Sequence, residues 1–295
     1  MDTVGIVGLG VMGSNCAKKL MESGVPVAGY DPYPPAVKRA SEAGVSMCGS
    51  PAELAGKAGV ILMFVPGPAD TEKVVLGEGG IASGAPEGTV VVNMSTVDPG
   101  VNIRMGEALA PKGIDFVDAP VMGSPSGVGS WAFALGGSDE ALAKIKDVLL
   151  VLSGSEEKLF HSGPRGHGNK LKLLNNMMLG AIDACAAETM ALAEHMGLSQ
   201  KTLIDVAVAA NARVLSNAYK EIGTRIAEGR YDEPTFTVDM LIKDNKLCLD
   251  MAREYGAPLI LGAAVDYVHR MVSVQGYGAK DHAVSWKAVA KNWKA

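Results

Sequence analysis

The sequence has neither an excess of basic residues nor many aromatic ones. Its 295 residues hold 27 Lys and Arg against 32 Asp and Glu, the net charge is -5, and aromatic residues make up 5%. Proteins that bind nucleic acids or anionic membranes usually carry a basic face. We therefore expect no nucleic-acid or membrane partner, and expect the chain to bind a small molecule and further copies of itself.

Cysteine is scarce, and no long uninterrupted apolar run is present. The four cysteines form no Cys-x-x-Cys pair and have no histidine at metal-ligand spacing: Cys16, Cys48, Cys185 and Cys248. This pattern predicts reduced thiols in the cytoplasm and no metal site. The start of the chain carries an acid and no base, unlike a secretory signal. The most apolar helical stretch, residues 177–196, contains Asp183, Glu188 and Glu194, so no membrane span is expected.

The length of the chain predicts two domains, residues 1–165 and 166–295. In the first, short β-branched runs alternate with helical patterns. The runs are TVGIVG, VPVAGYD, GVILMFV, TVVVNMS, IDFVDAP and WAFALGG. Such alternation is typical of crossover units in an α/β fold, and strands this apolar are usually covered by helices on both faces. We expect a largely parallel sheet in this domain.

Glycines are concentrated where the first strand passes into the first helix. The turn reads Gly8-Leu9-Gly10-Val11-Met12-Gly13. In a dinucleotide site the first glycine permits the tight turn, the second lets the backbone approach the pyrophosphate, and the third allows close packing of helix on strand. The second strand ends at Asp31, 18 residues after Gly13, where a carboxylate can bind the adenosine ribose hydroxyls. The turn therefore predicts a bound dinucleotide.

Asp31 also bears on the choice of cofactor. A carboxylate repels the 2'-phosphate of NADP, and the first arginine after Asp31 is Arg39, so we expect NAD rather than NADP. Two further segments fall at the carboxyl edge of the predicted sheet, where open α/β sheets bind their ligands: residues 65–71, which begin with Val65 and Pro66, and residues 93–96, which end at Thr96. They are candidate cofactor contacts, with ordinary loops as the alternative.

After Gly163 the strand patterns stop. Helices are predicted over residues 168–196, 199–210, 212–228, 237–255, 258–275 and 281–291. The first of these is apolar nearly all the way round, which predicts that it is buried between domains or between subunits. It begins within the stretch GHGNKLKLLNN, residues 166–176.

Two lysines stand where this helix begins, although the positive end of a helix dipole disfavours cations. Lys172 and Asn176 are four residues apart and share a face, whereas Lys170 lies about 200° away from Lys172. A lysine near a helix N-terminus and flanked by leucines is expected to have a lowered pKa, as acid-base chemistry near neutral pH requires. The alternative is a surface lysine that extends from an apolar helix into solvent.

Four motifs, in order, resemble those of the β-hydroxyacid dehydrogenases, a family that includes 3-hydroxyisobutyrate dehydrogenase and tartronate semialdehyde reductase. GLGVMGSNCAKKL (residues 8–20) is similar to the dinucleotide motif, and DAPVMGSPSGVGSWAFALGG (residues 118–137) to the substrate motif. GHGNKLKLLNN resembles the catalytic motif, and FTVDMLIKDNKL (residues 236–247) resembles the late lysine motif. Together they extend over nearly the whole chain.

The resemblance implies a Rossmann domain joined by a long helix to an all-α domain, with the active site in the interdomain cleft. It also implies interconversion of a 3-hydroxy acid and its aldehyde or keto acid by hydride transfer to NAD or NADP. Lys172 falls on the family's catalytic lysine, and Asn176 on the asparagine that helps to hold the substrate. Lys243 falls on the lysine that approaches nicotinamide, and Thr96 on a contact of the nicotinamide ribose.

The substrate motif departs from the family pattern. Relatives usually have Ser-Gly-Gly after Pro-Val, and that serine hydroxyl binds the substrate carboxylate. Here Met122, Gly123 and Ser124 follow, and the loop is shorter than usual. Met122 has no hydroxyl, Gly123 still offers its amide, and Ser124 could supply a displaced hydroxyl. Either Met122 simply packs in the cleft, or the acidic group of the substrate is a sulfonate, is held differently or is absent.

The leading interpretation is an NAD-dependent 3-hydroxyacid or semialdehyde oxidoreductase with Lys172 as general acid and base. An oxidative decarboxylase similar to 6-phosphogluconate dehydrogenase is disfavoured by chain length, and an imine reductase by the presence of Lys172. A non-catalytic dinucleotide-binding module has no need of Lys172, Asn176 and Lys243 together. The apolar first helix and the stretch APLILGAAV (residues 257–265) predict a homodimer or homotetramer.

Overall fold

The computed structural model describes residues 2–291, and its first half alternates strands and helices. In chain order these are β1 (Val4–Val7), α1 (Val11–Glu22), β2 (Val27–Tyr30), α2 (Pro34–Glu42), β3 (Ser46–Met47), α3 (Pro51–Ala55), β4 (Val60–Met63), α4 (Pro68–Leu76), α5 (Ile81–Gly84), β5 (Val90–Asn93), α6 (Pro99–Leu109), β6 (Asp115–Asp118), β7 (Val121–Met122), β8 (Ala132–Gly136), α7 (Asp139–Ser153) and β9 (Leu159–Gly163).

The strands form one sheet in the order β3-β2-β1-β4-β5-β6-β8-β7, with β9 paired to β8. From β3 to β6 all neighbours are parallel. Strand β8 is antiparallel to β6 and β7, and β9 is parallel to β8. The chain moves outward from β1 to β3 and then returns to β4 on the other side of β1. This reversal is the switch point of a doubly wound, Rossmann-type domain, so the predicted α/β fold is confirmed.

Alternate side chains of each strand point to opposite faces of the sheet, and helices cover both faces. Ile6 and Leu62 belong to one buried cluster, which includes residues of α1 and α7. Val7 and Met63 belong to a second, which includes residues of α3 and α6. The two-residue period of a strand produces this division. The central strands β1, β4 and β5 are largely apolar because neither of their faces meets water.

Three strands were absent from the predicted set. Strands β3 and β7 contain two residues each, too few for any pattern. Strand β9 reads LFHSG, and Phe160 within it is 57% exposed. Its extended conformation comes from pairing with β8, where Phe133 lies opposite Leu159. These omissions arise because pairing with a neighbour, rather than local sequence, forms the strands.

The second half of the described chain is helical, as predicted. The helices are α8 (His167–His195), α9 (Gln200–Ala209), α10 (Asn217–Glu228), α11 (Val238–Glu254), α12 (Ile260–Val272) and α13 (Ser285–Lys291). Helix α10 begins later than the predicted residue 212, because Ser216 caps it by accepting from the N–H of Tyr219 at 3.0 Å. Helix α13 begins later than residue 281, because Asp281 caps a separate 3-10 turn, His282–Val284.

The chain divides into two compact units, and the division falls inside α8. The first unit ends at Lys172 and the second begins at Leu173. The domain boundary between residues 165 and 166 stays a prediction. Helix α8 is not buried on all sides by its own chain, since Leu174, Met178 and Leu192 are 52%, 64% and 47% exposed.

A buried charged cluster joins three segments of the second unit. The Asp183 carboxylate on α8 lies 2.9 Å from His269 Nε2 and 2.7 Å from His282 Nδ1, and it accepts from the Ser285 hydroxyl at 3.0 Å. Burial alone would raise the pKa of Asp183, but the charge of His282 and the bonds from both imidazoles lower it to about 2. Burial alone would lower the pKa of His282, but Asp183 raises it above its ordinary value. The cluster therefore favours the ionised form of Asp183 and the protonated form of His282.

Within residues 2–291 no helix is both long and apolar enough to cross a bilayer. The same residues contain no group of three acidic, histidine or cysteine side chains arranged to hold a metal ion. All four cysteines are free thiols, and only Cys185 is exposed.

Candidate active site

The glycine turn between β1 and α1 is close-packed at its first and last glycines. Gly8 has a φ of +90°, and a Cβ on it would lie 2.1 Å from the carbonyl oxygen of Phe64. A Cβ on Gly13 would lie 1.9 Å from the carbonyl oxygen of Gly8. Any other residue at either position would push α1 away from the sheet. These two glycines therefore build the turn and bring the helix against it.

Gly10 is different, because nothing within 4 Å would meet a Cβ placed on it. The protein's own packing thus gives no reason for glycine here. No side chain caps α1 at Gly10, and the adjoining Val11 is 67% exposed. The uncapped N–H groups of a helix N-terminus are donors suited to phosphate. A glycine beside open space at such a terminus fits the close approach of a pyrophosphate.

The carboxylate of Asp31, at the end of β2, reaches the glycine turn. Its Oδ2 accepts from the N–H of Leu9 at 2.7 Å, and its Oδ1 accepts from the N–H of Tyr33 at 2.8 Å. The side chain of Leu9 is fully buried in the core, so only its backbone is available to a ligand. Met12 packs against the same core cluster. Asp31 is held at the turn with part of its surface open, which fits the predicted ribose contact.

The two remaining cofactor segments are tied to each other by Ser95. Its hydroxyl accepts from the N–H of Val65 at 2.8 Å and lies 3.3 Å from the Met63 carbonyl oxygen. The N–H of Ser95 in turn donates to the side-chain oxygen of Asn93 at 3.1 Å. This side-chain network fixes the ends of β4 and β5, and with them the neighbouring residues Pro66 and Thr96. Ser95 and Asn93 belong to residues 93–96, the segment that the sequence predicts as a cofactor contact, although the sequence pattern assigns neither of them an individual role.

The predicted substrate loop is held by Trp131, whose side chain is fully buried. Its indole N–H donates to the carbonyl oxygen of Ser124 at 2.7 Å, and a Cβ on Gly123 would lie 2.6 Å from the ring. The hydroxyl of Ser124 is exposed and lies 3.3 Å from that of Ser126. Met122 is half-buried in β7. The loop thus presents an exposed glycine, Gly123, and three exposed serines, with no cation among its residues 122–130.

The first turn of α8, which leads to Lys172, is bonded to the carboxyl edge of the sheet. Asp118, at the end of β6, accepts from the N–H groups of Gly166 at 2.6 Å and Asn169 at 2.8 Å. Burial raises the pKa of Asp118, and these two donors act against the rise. The side-chain oxygen of Asn169 accepts from the N–H of Val97 at 2.9 Å. The helix carrying Lys172 therefore begins beside the segment that contains Thr96.

In the second unit, Asp244 joins the two other predicted site residues. Its Oδ2 accepts from the side-chain amide of Asn176 at 2.6 Å. Its Oδ1 lies 3.0 Å from Lys243 Nζ, in an ion pair without hydrogen-bond alignment. Asn176 and Asp244 are buried, and Lys243 is one-third exposed. Sequence inspection missed Asp244, although its place directly after Lys243 was a signal.

Two family models together match nearly the whole chain. The first, described as the NAD binding domain of 6-phosphogluconate dehydrogenase, matches residues 3–163. The second, described as NAD-binding of NADP-dependent 3-hydroxyisobutyrate dehydrogenase, matches residues 166–289.

Characterised relatives and solved structures agree with these matches. The chain is 34% identical to L-threonate dehydrogenase of Cupriavidus necator, over 94% of this chain and 93% of that protein. It is 31% identical to 2-(hydroxymethyl)glutarate dehydrogenase of Eubacterium barkeri, over 99% and 94% of the two chains. The structure of 3-hydroxyisobutyrate dehydrogenase from Salmonella typhimurium superposes with a TM-score of 0.88 at 27% identity, over 97% and 99% of the two chains.

Proposed function

This chain belongs to the β-hydroxyacid dehydrogenase family, and we propose that it interconverts a small 3-hydroxy acid and its semialdehyde or keto acid, with NAD as cofactor and Lys172 as general acid and base. Membership makes the chain a hydroxyacid dehydrogenase that binds NAD or NADP. The substrate, the preference between the two cofactors and the roles of individual residues are our proposal.

The preference for NAD rests on Asp31. Its carboxylate is anchored by two backbone N–H groups beside the open space at Gly10. A fixed negative charge at the end of β2 favours a ribose with two free hydroxyls and repels a 2'-phosphate. The N–H groups of Gly10, Val11 and Met12 would hold the pyrophosphate. Val65, Pro66 and Thr96 would line the nicotinamide end.

The role of Lys172 is carried by one observation, the attachment of the first turn of α8 to the cofactor edge through Asp118 and Asn169. When bound, the nicotinamide ring donates or accepts the hydride. Lys172 Nζ gives a proton to the carbonyl oxygen during reduction and removes it from the hydroxyl during oxidation. Asn176, one helical turn further along α8, orients that hydroxyl. Lys243 supplies positive charge near the nicotinamide.

Substrate recognition is assigned to the loop at Met122, Gly123 and Ser124. The Gly123 N–H and the exposed Ser124 hydroxyl are the groups available to bind a carboxylate. A second candidate is an oxidoreductase of the same fold acting on a sulfonate or an uncharged alcohol. It is favoured by Met122, whose thioether offers no strong donor at the position where relatives have a serine hydroxyl.

The proposal is tested by following reduced nicotinamide in the near ultraviolet with NAD and NADP in turn. The panel holds 3-hydroxyisobutyrate, L-threonate and 2-(hydroxymethyl)glutarate, which the names of the relatives suggest. Their sulfonate analogues, uncharged diols and a cyclic imine complete it. Turnover of a carboxylate with NAD supports the leading candidate. Turnover of only sulfonates or diols supports the second, and NAD binding without any turnover would leave a non-catalytic binding module.

Association into a homodimer or homotetramer is also proposed. The second unit leaves many large apolar side chains exposed, among them Met178, Met196, Ile260, Tyr267 and Val274. We take these side chains to form an apolar patch, and large exposed apolar patches usually mark an interaction surface. Light scattering coupled to size-exclusion chromatography gives the mass of the particle, and a monomeric mass at micromolar concentration would remove the proposal.

A cytoplasmic location remains part of the proposal. It rests on the four free thiols, one of them exposed, which fit a reducing compartment. Fractionation of the native host with an antibody against the chain tests it directly, and recovery outside the cytoplasm would contradict it.

A further inference from the structure

A carboxylate from a distant strand end bonds the N–H groups at the start of helix α8. Asp118 bonds the N–H groups of Gly166 and Asn169, 48 and 51 residues further along the chain. A negative charge at a helix N-terminus is stabilised by the helix dipole, and it satisfies donors that would otherwise lack partners. The start of α8 is therefore fixed to the end of β6 rather than by local sequence.

Two glycines make room for this carboxylate. A Cβ on Gly136 would lie 2.4 Å from Asp118 Oδ1. A Cβ on Gly168 would lie 2.9 Å from Asp118 Oδ2 and 2.3 Å from the carbonyl oxygen of Ala134. Only glycine at both positions lets the helix approach the sheet this closely. Arg165 adds a third attachment, because its Nε donates to the carbonyl oxygen of Phe116 on β6 at 2.7 Å.

Asn169 extends the attachment to the next strand end. Its side chain is fully buried, and its oxygen accepts from the N–H of Val97, the residue after Thr96. Its Nδ2 has no hydrogen-bond partner in the part of the chain that the structure describes. Burying an amide with half of its hydrogen-bonding capacity unused is costly. The hydrogen bond from the Val97 N–H to the side-chain oxygen is therefore the contact that holds this side chain in place.

We propose that Asp118 and Asn169 are positioning residues that fix Lys172 relative to the Thr96–Val97 segment. Lys172 lies three residues after Asn169, about 4.5 Å further along the helix axis. A helix bonded at its first turn to both β6 and Val97 cannot slide or rotate without breaking these bonds. Neither residue touches the reacting atoms. The inference rests on the proposed role of Lys172 and deepens it.

The test compares Asn169→Ala with Thr89→Val. Thr89 is also buried in the first unit, and its hydroxyl donates to the carbonyl oxygen of Pro86 at 2.8 Å, at the amino end of β5 and away from the ligand edge. Each variant loses one side-chain hydrogen bond, which is buried at Asn169 and partly buried at Thr89. Asn169→Ala is expected to lower kcat about 10- to 100-fold, the scale of a misplacement near 1 Å, while KM and NADH binding stay near wild type. With a substrate deuterated at the carbon that gives up the hydride, the isotope effect on kcat is expected to be larger for this variant than for wild type, because hydride transfer limits its turnover more strongly.

Thr89→Val is expected to lose a similar amount of thermal stability and to keep full turnover. Asn169→Asp retains an oxygen that can accept from Val97 and is expected to recover most of the turnover lost in Asn169→Ala. Turnover in Asn169→Ala equal to that of Thr89→Val would overturn the inference, as would a failure of Asn169→Asp to recover any.

Lys172→Ala, assayed beside them, separates this inference from the function beneath it. Full turnover in Lys172→Ala overturns both. Loss of turnover in Lys172→Ala together with full turnover in Asn169→Ala overturns only the positioning role.

Discussion

The carboxylate of Asp244 accepts a hydrogen bond from the side-chain amide of Asn176 at 2.6 Å, deep in the second unit. Its other oxygen pairs with Lys243 at 3.0 Å. One buried acid thus fixes the amide proposed to orient the substrate hydroxyl and forms an ion pair with the lysine proposed to approach nicotinamide. Asn175 completes the arrangement by donating from its own amide to the side-chain oxygen of Asn176 at 3.1 Å.

Asp244→Asn is expected to lower kcat/KM about 10- to 100-fold. The substitution replaces a charged acceptor for the Asn176 amide with a neutral one and removes the carboxylate charge that pairs with Lys243. Hydrogen bonds to charged groups are worth about 1.5–3 kcal/mol, and each 1.4 kcal/mol is about tenfold. Asp250→Asn is the matched control, because Asp250 lies on the same helix and pairs with Arg253 at 2.6 Å on the exposed surface. Such pairs contribute about 0–1 kcal/mol, so steady-state activity is expected to stay at wild type. Equal effects of the two substitutions would show that Asp244 has no special role.

Asp31→Ser is expected to raise the ratio of kcat/KM with NADP to that with NAD by about tenfold or more, since repulsion worth 1.4 kcal/mol is tenfold. The serine also loses the bond to the Leu9 N–H, so NAD affinity is expected to fall. Steady-state kinetics with both cofactors measure the ratio. An unchanged ratio removes Asp31 from cofactor selection.

Trp131→Phe is expected to raise KM for the substrate about 2- to 10-fold while leaving NADH binding unchanged. The loss of one neutral hydrogen bond, to the Ser124 carbonyl oxygen, is worth about 0.5–1.5 kcal/mol. Phenylalanine keeps an aromatic ring beside Phe133, whose centroid lies 6.3 Å from that of the indole. Initial-rate measurements over a substrate series check the change. A KM equal to that of wild type would mean that the loop does not contact the substrate.

The cluster at Asp183 predicts a stability maximum in mildly acidic solution. The folded pKa of Asp183, about 2, is below its ordinary 3.8, so its contribution of about 2 kcal/mol is present above pH 3.8 and is lost as pH falls toward 2. The folded pKa of His282 is above its ordinary 6.5, so its contribution is present below pH 6.5 and is lost as pH rises through the raised value. The cluster therefore stabilises the fold most between pH 3.8 and 6.5.

Urea midpoints measured across this range test the expectation. Asp183→Asn is expected to flatten both sides of the plot of stability against pH. It is also expected to lower the free energy of unfolding by about 3–5 kcal/mol, as loss of one member of a buried pair usually does. Asp205→Asn, which removes an exposed i,i+4 pair with Lys201 on α9, is expected to give a profile parallel to wild type. A wild-type profile that is flat across the window would contradict the account.

Much of the fold could be predicted from local sequence. The apolar strands, the glycine turn and Asp98, whose carboxylate caps α6 by accepting from the Gly100 N–H at 2.5 Å, all carry their own signals. Strand β9 could not be predicted, because its residues gain an extended conformation only by pairing with β8. The presence of each helix was easier to predict than the residue at which it begins. Several serines or aspartates near a helix start can act as the cap, and only the folded chain shows which one does.

Candidate site residues could be named from the sequence where a motif is contiguous and not where bonds join distant segments. Lys172 and Asn176 can be named because they share a helix face and fall on residues of the family's catalytic motif. Asp118, Asn169 and Asp244 cannot, because each acts on a partner that folding brings near, such as Val97, 72 residues before Asn169. Buried polar side chains of this kind show their role only when their hydrogen-bond partners are known.

The central claim is that Lys172 transfers the proton. The most direct test compares the turnover of Lys172→Ala with that of Lys170→Ala, which removes the same charge from another face of the same helix turn, while NADH binding is followed by fluorescence. We expect Lys172→Ala to lose about 10²- to 10⁴-fold in turnover with NADH binding retained, and Lys170→Ala to remain near wild type. Normal turnover in Lys172→Ala, or an equal loss in both variants, would contradict the account.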